Sequence, residues 1–155
     1  MAKRKQRVSE RATEAAFVAH APASSQHSKG RFHNLQEILD DLNLRHFGGC
    51  IKASIEWAKH PKRPRRKHKS IKYGCYVMED KRIRIHFALD RASVPRFFLE
   101  YIVFHEMLHE HLPPRQKNGR MSFHFAEYVA AERAFPDYQQ AVAWEKINLD
   151  RLLYN

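Results

Sequence analysis

Residues 105–109 read His-Glu-Met-Leu-His. On an α-helix, positions i and i+4 lie on one face about 5–6 Å apart, so His105 and His109 can both reach one metal ion. Glu106 stands one position round from the first histidine, near the open side of that ion, where a general base has to be. The spacing is the zinc-hydrolase signature H-E-x-x-H, with two imidazoles for Zn2+ and a glutamate for proton transfer. The chain has eleven histidines, so five letters can coincide and the setting must decide. That setting is the run from Phe97 to Leu108, apolar nearly all round, which predicts a helix buried in a domain. Two histidines and a glutamate on such a helix are costly unless something satisfies them, and a metal does so. The plain alternative is a hydrogen-bonded histidine pair beside a surface glutamate.

Catalytic zinc usually takes three protein ligands and leaves a fourth position for water, so one more ligand must come from outside this pentapeptide. The downstream candidates are His111, His124, Glu127 and Glu132. His111 follows His109 by two residues and points to another side of the helix. His124, between Phe123 and Phe125, opens the next helix after a loop long enough to fold that helix back, and it is favoured over the two glutamates. Glu127 could orient an imidazole as a neighbouring carboxylate, or be an ordinary surface glutamate. Tyr128 and His111 are the candidates for a second oxyanion donor, with nothing decisive for either.

The elements that must position these residues are read from periodicity. Residues 34–47 place Leu35, Ile38, Leu39, Leu42 and Phe47 at helical spacing, with Asn34 as cap and Gly48-Gly49 as stop. Residues 50–58 alternate, Ile51, Ala53, Ile55 and Trp57 against Lys52, Ser54 and Glu56, which predicts a half-buried strand. A hairpin is expected over 70–78 and 82–88, turning at Glu79-Asp80-Lys81. Ser93 and Pro95 suit the start of the histidine helix, and Pro113-Pro114 its end. A loop at 113–121, a helix from about 122 to 134 and a last amphipathic helix through Trp144, Ile147, Leu149 and Leu152 complete the order. Residues 1–32, polar and basic with no sustained period beyond a helical trace around 8–19, predict a largely disordered tail.

A chain of 155 residues can bury one core, and no apolar stretch approaches the ~20 residues of a membrane-spanning helix, so no membrane partner is expected. The net charge of +11 is uneven. Residues 59–72 hold eight Lys or Arg, two His and no acid, among them Lys62, Arg63, Arg65, Arg66, Lys67 and Lys69. Such a cluster attracts phosphate backbones without reading base sequence, and DNA contact is expected from it; a solvated loop is the alternative. Trp57 and Tyr73 only flank the run, so base stacking has little support. Cys50 and Cys75 lack metal-type spacing and suggest free thiols in a reducing compartment, hence a cytoplasmic protein.

Taken in order, four segments resemble the SprT-like zinc metallopeptidases, among the minimal gluzincin domains that also include YgjP-like proteins. LQEILDDLNLRHFGGCI (35–51) resembles the group's opening helix, and YGCYVMEDKRIRIHFAL (73–89) its central hairpin. LEYIVFHEMLHEHL (99–112) resembles its active-site helix, and HFAEYVAAERAFPDY (124–138) the segment with the third histidine. The resemblance implies a small α+β zincin-type domain over 33–155. In it a three-stranded sheet packs on the histidine helix, between N- and C-terminal helices. It implies one Zn2+ held by His105, His109 and His124, with Glu106 as base, and peptide-bond hydrolysis in protein or peptide substrates. It also implies an exposed sheet edge, at arm 82–88, to which an extended substrate adds. Some relatives cleave proteins crosslinked to DNA, which suits the basic run. Phe123 stands where that DNA-repair branch has glycine.

Overall fold

The computed structural model describes residues 27–59 and 71–154. Within them the chain is α+β: four helices and a small three-stranded mixed sheet, with a separate two-stranded hairpin. The tail over residues 1–26, including its helical trace, and the basic residues Lys62, Arg63, Arg65, Arg66, Lys67 and Lys69 lie outside the described residues.

Helix α1 (Leu35–Phe47) starts and stops where its sequence demands. The Asn34 side chain accepts a hydrogen bond from the Gln36 N–H, and Gly48 takes the left-handed conformation at φ 57° that ends the helix. Its buried stripe is Leu35, Ile38, Leu39, Leu42 and Phe47. Asn43 then holds the turn toward the sheet: its amide donates to the Ile51 carbonyl and its oxygen accepts from the Ile51 N–H, each at 3.0 Å.

Strand β1 (Ser54–Trp57) is shorter than the alternation over 50–58 suggests, although Ile51, Ala53 and Ile55 are all buried as that alternation requires. β2 (Gly74–Val77) and β3 (Arg82–Ile85) form the expected antiparallel hairpin with shorter arms than 70–78 and 82–88, because Phe87–Leu89 turn into a short 3-10 helix. The strand order is β1-β3-β2, with β1 parallel to β3. β3 is therefore central, and the exposed edge expected at 82–88 is instead at β2. The reason is topological. β1 pairs with the side of β3 that a simple hairpin would leave open, so β3 has a neighbour on both sides. The choice buries Ile55, Ile83 and Ile85 fully beneath the helices.

Helix α2 (Arg96–His111) carries the histidine motif through the core, burying Phe98, Leu99, Val103, Met107 and Leu108. Pro95 rather than Ser93 is its cap residue and lies just outside the first turn; its carbonyl accepts from the Phe98 and Leu99 N–H groups. Near the other end, the Glu110 carboxylate accepts from the Lys52 and Ala53 N–H groups and so ties α2 to the entry of β1.

Residues 115–121, expected as loop, and Ser122, expected at the start of the next helix, form strands β4 (Arg115–Lys117) and β5 (Arg120–Ser122) with their turn. Asn118 and Gly119 turn between them at φ 51° and 75°, the paired positive φ values of a tight hairpin that Asn-Gly favours. Because the hairpin extends to Ser122, α3 (Ala126–Arg133) starts later than expected. α4 (Tyr138–Tyr154) closes the fold against α2, with Trp144 packed on Phe98. At the other terminus, residues 27–32, read from sequence as tail, are held against the domain. Arg31, Phe32 and His33 donate their N–H groups to the Asp90 carboxylate, and the His27 carbonyl accepts from Trp57.

Candidate metal centre

His105 and His109 leave α2 on one face, as their spacing requires. The segment between β5 and α3 brings His124 against them. Ring centroids lie 5.2 Å apart for His105–His109, 5.0 Å for His109–His124 and 5.3 Å for His105–His124. Their ligand nitrogens all fall within 4.8 Å of one another, close enough to bind a metal ion. His124 does not open α3 but precedes its cap, Phe125, and is exposed toward the cleft rather than enclosed by its aromatic neighbours.

Tyr128, fully buried, is the floor of this cluster. Its ring packs on all three histidines, and its hydroxyl donates to the His105 carbonyl at 2.7 Å and lies 3.3 Å from His109 Nε2. A hydroxyl so committed braces the ligands from behind and is no oxyanion donor. His111 does not fill that role either: it is exposed and packs edge-on against Phe47, away from the cluster.

The carboxylate that orients a histidine is Glu132, not Glu127. Glu132 Oε1 lies 2.7 Å from His105 Nδ1 and accepts from the Tyr101 hydroxyl at 2.9 Å. Burial pushes this carboxyl up, but the bonds from His105 and Tyr101, with the neighbouring rings, carry it below its ordinary value. The anion keeps the His105 proton on Nδ1 and leaves the lone pair of Nε2 for a metal. Glu127 faces solvent and pairs with Arg115 at 2.7 Å. The sequence did contain a signal for this. Tyr128 and Glu132 stand four apart on α3, and Tyr101 lies four before His105 on α2, so each pair shares a helical face.

Electrostatics favours neutral, ligand-ready imidazoles. Burial, with repulsion from His105 and His124, pushes His109 down to about 4, and burial also lowers His124. The Nδ1 of His109 is buried without a hydrogen-bond partner among the described residues. An orphaned ring nitrogen in this position is costly, and a cation bound through it relieves that cost. The residues present thus fit a metal.

No family model, curated protein or solved structure matches this chain.

Glu106 is 5% exposed, which removes the surface-glutamate alternative. Burial pushes its carboxyl up to about 7, against the opposing pull of His105, Lys72 and a backbone bond from Tyr76. A carboxyl poised near neutrality can both take and return a proton. It shares with the triad an open cleft of about 820 Å³ bounded by β2, α2, the β4–β5 hairpin and α4. Periodicity gave no hint of several lining residues, among them Lys72, Tyr73, Gly74 and Glu145. The rim carries Met78, Met121 and Phe123, large apolar side chains left 44–54% exposed. Among the described residues no helix is long and apolar enough to cross a membrane, and both cysteines are free thiols.

Proposed function

We propose that this chain is a zinc-dependent endopeptidase of SprT-like, zincin-type design, acting on extended segments of protein substrates. The observation that carries the reading is the convergence of His105, His109 and His124 with a buried, near-neutral Glu106 at one open cleft. A Zn2+ ion bound by the three histidines supplies a Lewis acid and a water that ionises near neutrality. Glu106 takes a proton from the attacking water and returns it to the leaving amine nitrogen. Glu132 and Tyr101 hold the His105 ring in one tautomer and orientation, and Tyr128 keeps the imidazoles from collapsing backward. The free edge of β2 borders the cleft, and an extended peptide can add to it as a further strand, bound mainly through its backbone. Met78, Met121 and Phe123 then receive its apolar side chains.

In the same reading Lys62, Arg63, Arg65, Arg66, Lys67 and Lys69 hold the enzyme near DNA, through charge alone. The rival function, a nucleic-acid-binding module with a structural zinc, fits less well. Structural zinc sites are closed by four protein ligands, whereas three donors among the described residues open on a cleft beside an ionisable carboxyl. The test is cleavage of an unfolded protein by zinc-loaded chain, lost on chelation and restored by zinc. Zinc-loaded protein that binds DNA in a salt-sensitive way and cleaves nothing would establish the rival instead.

A further inference from the structure

Gly74 opens β2, the strand along the cleft, and is buried there. Its backbone does not require glycine: the glycines with positive φ are Gly48, Gly49 and Gly119, and Gly74 is not among them. Within strands glycine is a poor choice, because it loses more chain entropy on folding and packs no side chain. Where it is kept it often marks close approach by another group. The approaching group here is Glu106. A Cβ at position 74 would lie 2.7 Å from its Oε1, 2.9 Å from its Cγ and 3.1 Å from its Cδ. These distances run along the side chain as far as Cγ, so rotation of the terminal carboxylate alone does not relieve them. The residue is 5% exposed and lies against the strand, so the space it can yield into is the cleft it lines.

We infer that Gly74 is a positioning residue for the Glu106 carboxylate: the missing Cβ is the niche in which the base lies. The inference assigns a role beyond the metal ligands and rests on the endopeptidase reading only for what that base does. Histidine ligation is independent of the niche, since His105, His109 and His124 meet on the side of α2 that faces α3. Gly74→Ala therefore moves the base and leaves the ligands in place.

A stability cycle on metal-free protein tests the contact without reference to turnover. Gly74→Ala lowers the thermal midpoint of the wild-type chain. In a Glu106→Ala background the same change leaves the midpoint unchanged or raises it, as glycine-to-alanine changes do at unstrained positions. This second background also folds if the single variant does not. An equal shift in both backgrounds overturns the inference. In the zinc-loaded enzyme, Gly74→Ala retains one zinc per chain and the wild-type KM while kcat falls about a hundredfold, the scale expected for ångström-level misplacement of a catalytic group. Wild-type kcat, or loss of zinc in this variant, overturns it as well. A wild-type chain that hydrolyses nothing would refute the endopeptidase reading, and the stability cycle would still decide the contact.

Discussion

His105 and Glu106 are neighbours on α2, yet the protein holds them by opposite means. His105 is fixed by directed bonds, Nδ1 to Glu132 and its backbone carbonyl to Tyr128, with Tyr101 supporting Glu132 in turn. Glu106 has no charged partner within ion-pair distance among the described residues; beside one backbone bond from Tyr76 it is held by shape and burial, against a glycine and beneath β2. The difference follows from the two tasks. A ligand needs its lone pair aimed at one point, and hydrogen bonds aim it. A base needs proton affinity near the working pH, which a strong ion pair would depress and which burial raises toward about 7.

The comparison breaks most sharply at Glu106. Glu106→Gln keeps the shape and loses the proton exchange, so the zinc content stays at one per chain while hydrolysis drops by about 10²–10⁴-fold. Turnover undiminished in that variant would take the base away from residue 106. On the ligand side, His124→Ala should weaken zinc binding by more than the roughly 10- to 100-fold that loss of an outer-shell partner costs. Metal titration of the two proteins settles it, and wild-type affinity in the variant would move the third ligand elsewhere.

A third measurement sharpens the contrast through pH, in metal-free protein. Because folding raises the Glu106 pKa, its stabilising contribution is complete below the unfolded value of 4.5 and is lost as pH rises through about 7. Glu106→Gln therefore gains on wild type at pH 8 by on the order of 3 kcal/mol, and the gain vanishes near pH 4. His109 has the opposite sign. Its depressed value means that stability present above 6.5 is lost as pH falls through about 4. Denaturant midpoints that show no pH-dependent gap between wild type and Glu106→Gln would contradict a buried, raised carboxyl.

The smallest effect separates the two glutamates of α3. Glu132→Ala lowers zinc affinity by about 10- to 100-fold, whereas Glu127→Ala, which removes only a solvent-exposed pair with Arg115, leaves affinity unchanged. Equal losses from both would mean that the bond to His105 does not orient the ligand.

Much of this could be read from the chain. The Asn34 cap, the Gly48 stop and the stripe of α1 are local matters of dihedral preference and helical period, and they appear as the sequence indicates. So do the Ile83 and Ile85 face of β3 and the burial of α2. The β4–β5 hairpin was legible in its Asn118-Gly119 turn, but its strands are short and almost wholly exposed, without the apolar alternation that marks a strand. Glu132 was legible as four residues on from Tyr128 on one helical face, although only packing shows that this face meets His105.

What the sequence determined by itself is the pair His105 and His109 on one helical face with Glu106 beside them, because a 3.6-residue period leaves that geometry no freedom. It also determined that the helix carrying them is buried. The tertiary structure alone decided that His124 completes the triad, that Glu132 rather than Glu127 reaches His105, and that β2 rather than β3 borders the cleft with a glycine where Glu106 lies. These depend on which faces of separate elements meet, and that is settled by how the whole core packs and by the pairing of β1 with the far side of β3.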